Sequence, residues 1–209
     1  GFGGRVLAAS CSHFDTAERQ YRMPTEFAGQ RPPTAQRTVT GAGAVLLSRT
    51  GKGPRITHAT IGHVVDMGMS DPNDMGSAMA PAAAETIWRH FEDTGRGPED
   101  YDLVVTGDLG TVGKRVNEDL LKRAGADVSN VYQDCGVMVY EMGQDTHAGG
   151  SGGGCSAVVF AGHLLRRLEV GSYRRLLLVG TGALFSPTSF QQGETIPCIA
   201  HAVAVENSG

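Results

Sequence analysis

Five glycines, two serines and a cysteine crowd into Ala148–Ala157 (AGGSGGGCSA), between an apolar run at Val131–Tyr140 and a helical pattern at Ala157–Glu169. Glycines this dense cost chain entropy, so the stretch is either a linker or a turn kept for a reason. Its flanks favour the turn. A strand that feeds a helix through glycines brings backbone N–H groups close to whatever lies there, and a helix start adds unpaired donors and partial positive charge. Contact with an anion such as a carboxylate is one reading; a close-packing structural turn is the other. Two phosphate motifs fail here. Gly149 to Ser156 has the spacing of a phosphate loop, but Cys155 stands in place of its lysine. The dinucleotide pattern G-x-G-x-x-G also breaks at Cys155.

Other reactive side chains are scattered. Cys155, at a helix N-terminus, is a candidate activated thiol, against the plainer reading of a small buried residue. Cys11 and His13 are close in sequence, yet nothing nearby is spaced to complete a zinc site. His147 stands beside the glycine turn and reads as a solvated loop residue. Arg19, Arg22, Arg31 and Arg37 suit either a dicarboxylate or surface ion pairs and an interface.

The 209 residues suffice for one large domain or two small ones. Glycine accounts for 30 of them, about double the usual ~7%, and it clusters at turns. A net charge of −4 argues against a nucleic-acid surface. Four cysteines without a C-x-x-C read as reduced thiols of an intracellular protein. No run reaches the ~18 apolar residues that span a bilayer, and no signal peptide is visible. Residue 1 is glycine, so a piece of a longer protein is expected.

Several elements must position these residues. Arg5–Ser10 and Thr38–Ser48 read as strands, the second with Gly41 and Gly43 implying close backbone approach. Between them Glu18–Ala35 is a long loop carrying Tyr21 and Phe27. Ile56–Met67 reads as a strand. A helix follows, with Pro81 in its first turn and Ala80, Ala84, Ile87, Trp88 and Phe91 on one face. Leu103–Thr106 is a short strand. The next helix turns Val116, Leu120, Leu121 and Ala124 inward and ends at Gly125. Val131–Tyr140 reads as a strand or strand pair, and the third helix buries Ala157, Ala161, Leu164, Leu165 and Leu168. Leu176–Val179 and Ile196–Glu206 close the chain as strands. From Arg55 the order is βαβαβαββ, the pattern of a layered α/β domain with a largely parallel sheet. A weak internal repeat pairs GGRVLAAS near the start with YRRLLLVGTG near the end, each followed by a second strand rich in small residues. The chain is therefore expected to divide into residues 1–50, ending one unit, and residues 51–209, a complete second unit.

A duplicated βαβαβαββ unit resembles the thiolase-like fold, and TVTGAGAVLL, DLVVTGDLG, AGGSGGGCSAVV and LLLVGTGAL resemble glycine strands and loops of ketoacyl synthases. Over essentially the whole chain the sequence is more similar to the stage V sporulation protein AD family. That likeness is carried by SHFDTAERQYRMP, GQRPPTAQRTVTGAG, DMGMSDPNDMGSAMAPAAAETI, YDLVVTGDLG and SPTSFQQGETIPCIAHAVAVE. The resemblance implies a non-catalytic α/β protein of layered α-β-α architecture that binds dipicolinic acid, free or as its calcium chelate. It also implies a place in loading that compound into the developing spore. The protein would then be intracellular, peripheral at the spore inner membrane, beside the other stage V sporulation A membrane proteins, and a homodimer.

Active relatives use a cysteine from the first half with a His–His or His–Asn pair from the second. The resemblance puts that cysteine's helix before residue 1. Gly107 or Asp108 stands at the first histidine's place, and Gly150 or Ser151 at the second partner's. Neither replaces an imidazole as a base near neutral pH. A working acyltransferase is the alternative, and a docking scaffold with a vestigial pocket a third reading. For the binding protein, Gly107, Asp108, Gly149, Gly150, Ser151, Gly182, Ser186 and His13 are the expected ligand residues. Backbone donors of Gly149–Gly154 and of a Gly180–Ala183 loop would meet a carboxylate, with hydroxyls from Ser151 and Ser186. Asp108 would reach a calcium ion carried with the ligand, or else cap the helix near Gly110. His13 would face the pocket or be a structural histidine. No resident cofactor or metal is expected.

Overall fold

Leucine- and valine-rich runs bounded by glycine, alternating with longer amphipathic segments, build a sheet with helices on both faces. The computed structural model describes residues 4–16, 32–141 and 143–207. The expected contributions of Arg19, Arg22, Arg31, Tyr21 and Phe27 lie outside the described residues.

The main sheet has five strands: β4 (Arg55–Ile61), β5 (Leu103–Thr106), β6 (Tyr132–Asp134), β8 (Arg175–Ala183) and β9 (Cys198–Glu206), in the order β4-β9-β8-β5-β6. β5 runs parallel to β6 and β8, as strands joined through crossover helices do, while β9 is antiparallel to both β8 and β4. The sheet is thus mixed, with β9 reversed. β5 lies between two neighbours and all four of its residues are buried, which is why it is continuously apolar up to Thr106. Apart from this sheet, β1 (Arg5–Ser12) pairs antiparallel with β3 (Gly41–Ser48). The segments linked by the internal repeat therefore adopt the same two-strand arrangement as β8 and β9. Leu7 and Leu46 of that pair stay mostly exposed. β2 (Arg37–Thr38) runs parallel to β7 (Gly150–Ser151), tying the glycine turn to the first part of the chain.

On one face of the sheet lie α1 (Met75–Thr94) and α2 (Gly110–Arg123), enclosing a core that includes Met79, Ile87, Phe91, Leu109 and Leu121. α1 starts earlier than Pro81 suggests. The Asp74 carboxylate accepts from Ser77 N at 3.1 Å and caps the helix about two turns upstream, leaving Pro81 inside it. On the other face, α4 (Gly153–Val159) continues through a π-helical stretch (Phe160–Leu164) into α5 (Leu165–Glu169), with Leu164 and Leu168 in one core with Val105 and Leu176 of the sheet. α4 also packs on β1 and β3. A Cβ on Gly43 would overlap the Ala157 carbonyl, so the close approach read from Gly41 and Gly43 is real.

Two further sequence expectations change. Val131–Tyr140 is a strand only at Tyr132–Asp134; Cys135–Met138 forms a helical turn, α3, because Asp134 caps it through Val137 N at 3.2 Å. β4 stops at Ile61 rather than Met67. Gly62 sits against the Ala200 carbonyl and the chain leaves the ladder, rejoining β9 only where Val65 and Cys198 exchange backbone hydrogen bonds of 2.8 Å.

Candidate functional site

β5 delivers the chain to the Gly107–Gly110 turn at the C-terminal edge of the parallel strands, the edge where open α/β sheets place ligands. There the Asp108 carboxylate is held on both oxygens. Thr181 Oγ1 of β8 donates to Oδ1 at 2.7 Å, while Ser151 Oγ and Gly152 N of the glycine turn donate to Oδ2 at 3.1 and 2.9 Å. Gln36 supports the same turn from behind, its Nε2 donating to the carbonyls of Asp108 and Gly150, both at 2.7 Å. Asp108 does not cap α2. The carboxylate that accepts from Leu109 N (2.8 Å) and Gly110 N (2.9 Å) belongs to Asp134.

These groups floor a cavity of about 930 Å³. Its floor is the hydrogen-bonded group of Asp108, Ser151 and Thr181, and Ser12, His13, Met79 and Phe185 line it as well. Of the residues expected from sequence, Asp108, Ser151, Gly182 and His13 line it. The others stand elsewhere. A Cβ on Gly107 would meet Thr181 Oγ1 at 2.9 Å, so this glycine packs against β8. Gly149 (φ 111°) backs onto the Gly136 carbonyl, and Gly150 pairs with Arg37. Ser186 caps α6 (Pro187–Gln191) through Ser189 N at 3.1 Å.

Of the two readings of the donor-rich turn, anion contact or close packing, the second describes most of its amides. Gly149 N donates to Thr146 O, Gly152 N to Asp108, Gly154 N to Ser12 Oγ and Cys155 N to Gly152 O, each at 2.9 Å. Those amides tie the protein together. Gly180–Ala183 is not a loop but the end of β8, in register with His201–Cys198 of β9. His147 adopts φ 51° and is fastened to Pro32 O at 2.9 Å rather than freely solvated.

The thiols divide sharply. Cys155 is buried, and burial together with Asp108, Cys135 and Asp134 pushes its thiol far above the usual range. A helix start does not activate it. Cys11 is exposed and lies on the cavity wall. Among the described residues no group of three or more His, Cys, Asp or Glu side chains is placed to hold a metal ion, so a cation here would bring most of its own ligands and take Asp108 as one more.

Three groups escape a reading by motif: Thr181, Gln36 and Asp134. Thr181 carries a faint signal, as the one hydroxyl in an otherwise apolar and glycine run. Gln36 carries none.

Sheet order, reversed last strand and helices on both faces define a thiolase-like α/β protein. Its structure is similar to that of 3-oxoacyl-(acyl carrier protein) synthase III from Pseudomonas aeruginosa, with a TM-score of 0.54 and 15% identity over 97% of this chain and 59% of that one. The synthase III of Aquifex aeolicus matches with a TM-score of 0.50 and 14% identity over 97% and 58%. The family model of stage V sporulation protein AD matches residues 1–206. The chain is 54% identical, over all 209 residues, to stage V sporulation protein AD of Bacillus subtilis. It belongs to the stage V sporulation protein AD family. The chain spans 62% of the length of that relative.

Proposed function

We propose that this chain is the ligand-binding part of a non-catalytic thiolase-fold sporulation protein, and that its ligand is dipicolinic acid, chiefly as the calcium chelate. The observation that carries the reading is the cavity lining, in which the Asp108 carboxylate is fixed by the hydroxyls of Ser151 and Thr181; the resemblance sets Gly107 or Asp108 and Gly150 or Ser151 at the places of the imidazole and amide partners of acyl-transferring relatives. His13 is the one imidazole on the wall among the described residues, and the buried Cys155 thiol is unsuited to attack.

Asp108 supports the chelate over the free dianion. Two like unit charges roughly 4 Å apart repel by about 4 kcal/mol at an effective dielectric near ~20, so a bare dicarboxylate meets a penalty at this floor. Calcium takes about six to eight oxygen ligands and is left unsaturated by one small chelator, so Asp108 would become an added ligand. Ser151 and Thr181, whose hydroxyl protons go to Asp108, would hold that carboxylate toward the calcium ion, and Met79 and Phe185 would cover the ring. Transfer into the developing spore, association with the other stage V sporulation A membrane proteins at the spore inner membrane, and homodimer formation belong to the same proposal. No helix among the described residues is long and apolar enough to cross a membrane.

Calorimetry with dipicolinate, with and without calcium, tests the reading on the full chain. Hydrogen bonds to charged groups contribute ~1.5–3 kcal/mol, so Asp108→Ala is expected to weaken the chelate about tenfold or more and free dipicolinate far less. Ser151→Leu is expected to abolish both by filling the floor. Absence of saturable binding by the unaltered chain, or an Asp108→Ala variant that binds the chelate normally, defeats the reading.

A further inference from the structure

Asp134 accepts four hydrogen bonds, and it is not among the residues that line the cavity. Its Oδ2 accepts from Thr106 Oγ1 at 2.7 Å and Leu109 N at 2.8 Å; its Oδ1 accepts from Gly110 N at 2.9 Å and Val137 N at 3.2 Å. It is fully buried. Two of these donors lie in the turn that carries Asp108, and a third opens the α3 turn. That turn in turn abuts the glycine stretch: a Cβ on Gly136 would overlap the Gly150 carbonyl, and Gly149 backs onto Gly136 O. One carboxylate therefore joins the segment from Thr106 to Gly110 to the α3 turn, which packs on the glycine turn, and the first and last of these segments supply cavity lining.

We propose that Asp134 is the positioning residue of the cavity, its ionised carboxylate clamping the Asp108 turn against the α3 turn and, through it, the glycine turn. Four donors converge on two oxygens, so the clamp needs an acceptor at both. A neutral acid or an amide presents a proton to one of those donors, and the turn loosens. The groups facing Asp134 are Asp108 from the β5–α2 turn, Tyr132 and Cys135 beside it in the chain, Cys155 from α4, and the Lys114–Glu118 pair of α2 that lies against Tyr132. Burial foremost, with Asp108 adding, raises the acid to about 6 against the donors that lower it. The clamp is closed at neutral pH and opens as pH falls through that value.

As far as ligand binding goes, this rests on the dipicolinate reading, so its test begins with a readout that needs no ligand. Hydrogen exchange of the full chain, followed by mass spectrometry, is compared for wild type, Asp134→Asn and the milder Thr106→Val, which removes one donor while leaving the carboxylate. Exchange is expected to quicken within residues 107–113 and 135–152 and to stay unchanged in β8, β9 and α1. Affinity for calcium–dipicolinate is expected to fall about tenfold in Asp134→Asn. The wild type should also weaken between pH 7 and 5, and this step should be missing from Asp134→Asn, which sits at the low-pH level throughout. Faster exchange spread evenly over the sheet, or unchanged exchange in both variants, overturns the clamp. Local loosening in a protein that binds no dipicolinate upholds the clamp and removes only the ligand reading.

Discussion

Cysteine 155 shows how little a local motif says about reactivity. A helix start lowers a thiol's pKa, but here the opposing forces win: full burial and three acidic or thiol neighbours favour the neutral thiol. Cys11 sits on the exposed cavity wall. Alkylation near pH 8, followed by mass spectrometry, should modify Cys11 at least ~100-fold faster than Cys155, whose labelling should await unfolding. Equal rates would return Cys155 to the list of candidate nucleophiles. Asp108 and Asp134 make the complementary point. Asp108 reads from sequence as either a ligand group or a cap and Asp134 as part of a strand, yet each is held by donors from elsewhere in the chain.

Between elements, close backbone contact outweighs intrinsic preference. Gly113 lies within α2, where alanine is normally favoured by ~1 kcal/mol. A Cβ there would stand 2.5–2.7 Å from the Gly76 backbone of α1, with no flexible side chain to give way. Overpacking of this kind costs about 1–3 kcal/mol, so Gly113→Ala should destabilise by up to ~2 kcal/mol net, read as a lower urea midpoint at unchanged slope. A stabilised variant would mean that α1 and α2 part easily. The apolar periodicities of α1 and α2 and the apolar run of β5 were legible because they repeat over several residues. The stop of β4 at Gly62 and the break after Asp134 were not, since the first depends on the Ala200 carbonyl that the chain meets in space and the second on how the Asp134 carboxylate is paired.

At the scale of the molecule, His90 joins elements that the core alone would leave free to shift. Fully buried, it pairs with Thr60 Oγ1 of β4 at 2.8 Å and with Tyr101 OH before β5 at 2.6 Å. Burial first, then His58 and Arg96, lowers its pKa to about 4. The unfolded chain therefore takes up a proton near pH 6.5 that folded His90 refuses until about pH 4. Stability from this residue is present above pH 6.5 and is lost as pH falls through that window. Urea midpoints measured between pH 7 and 4 should drop less steeply for His90→Gln than for wild type. Parallel curves would mean that His90 is protonated in the folded state.

The sequence by itself determined the alternation of strands and helices, the thiolase-like fold class and the family, because these rest on periodicity and on long contiguous motifs that need no partner to be recognised. It also singled out Asp108 and Ser151, both of which line the cavity floor. Only the tertiary structure decided what the glycine turn does, which carboxylate serves Leu109 and Gly110, and which thiol is open to solvent. Those outcomes depend on hydrogen bonds between residues as far apart as Gln36 and Gly150 or Asp108 and Thr181, and a buried donor accepts whichever partner the packed fold brings within reach.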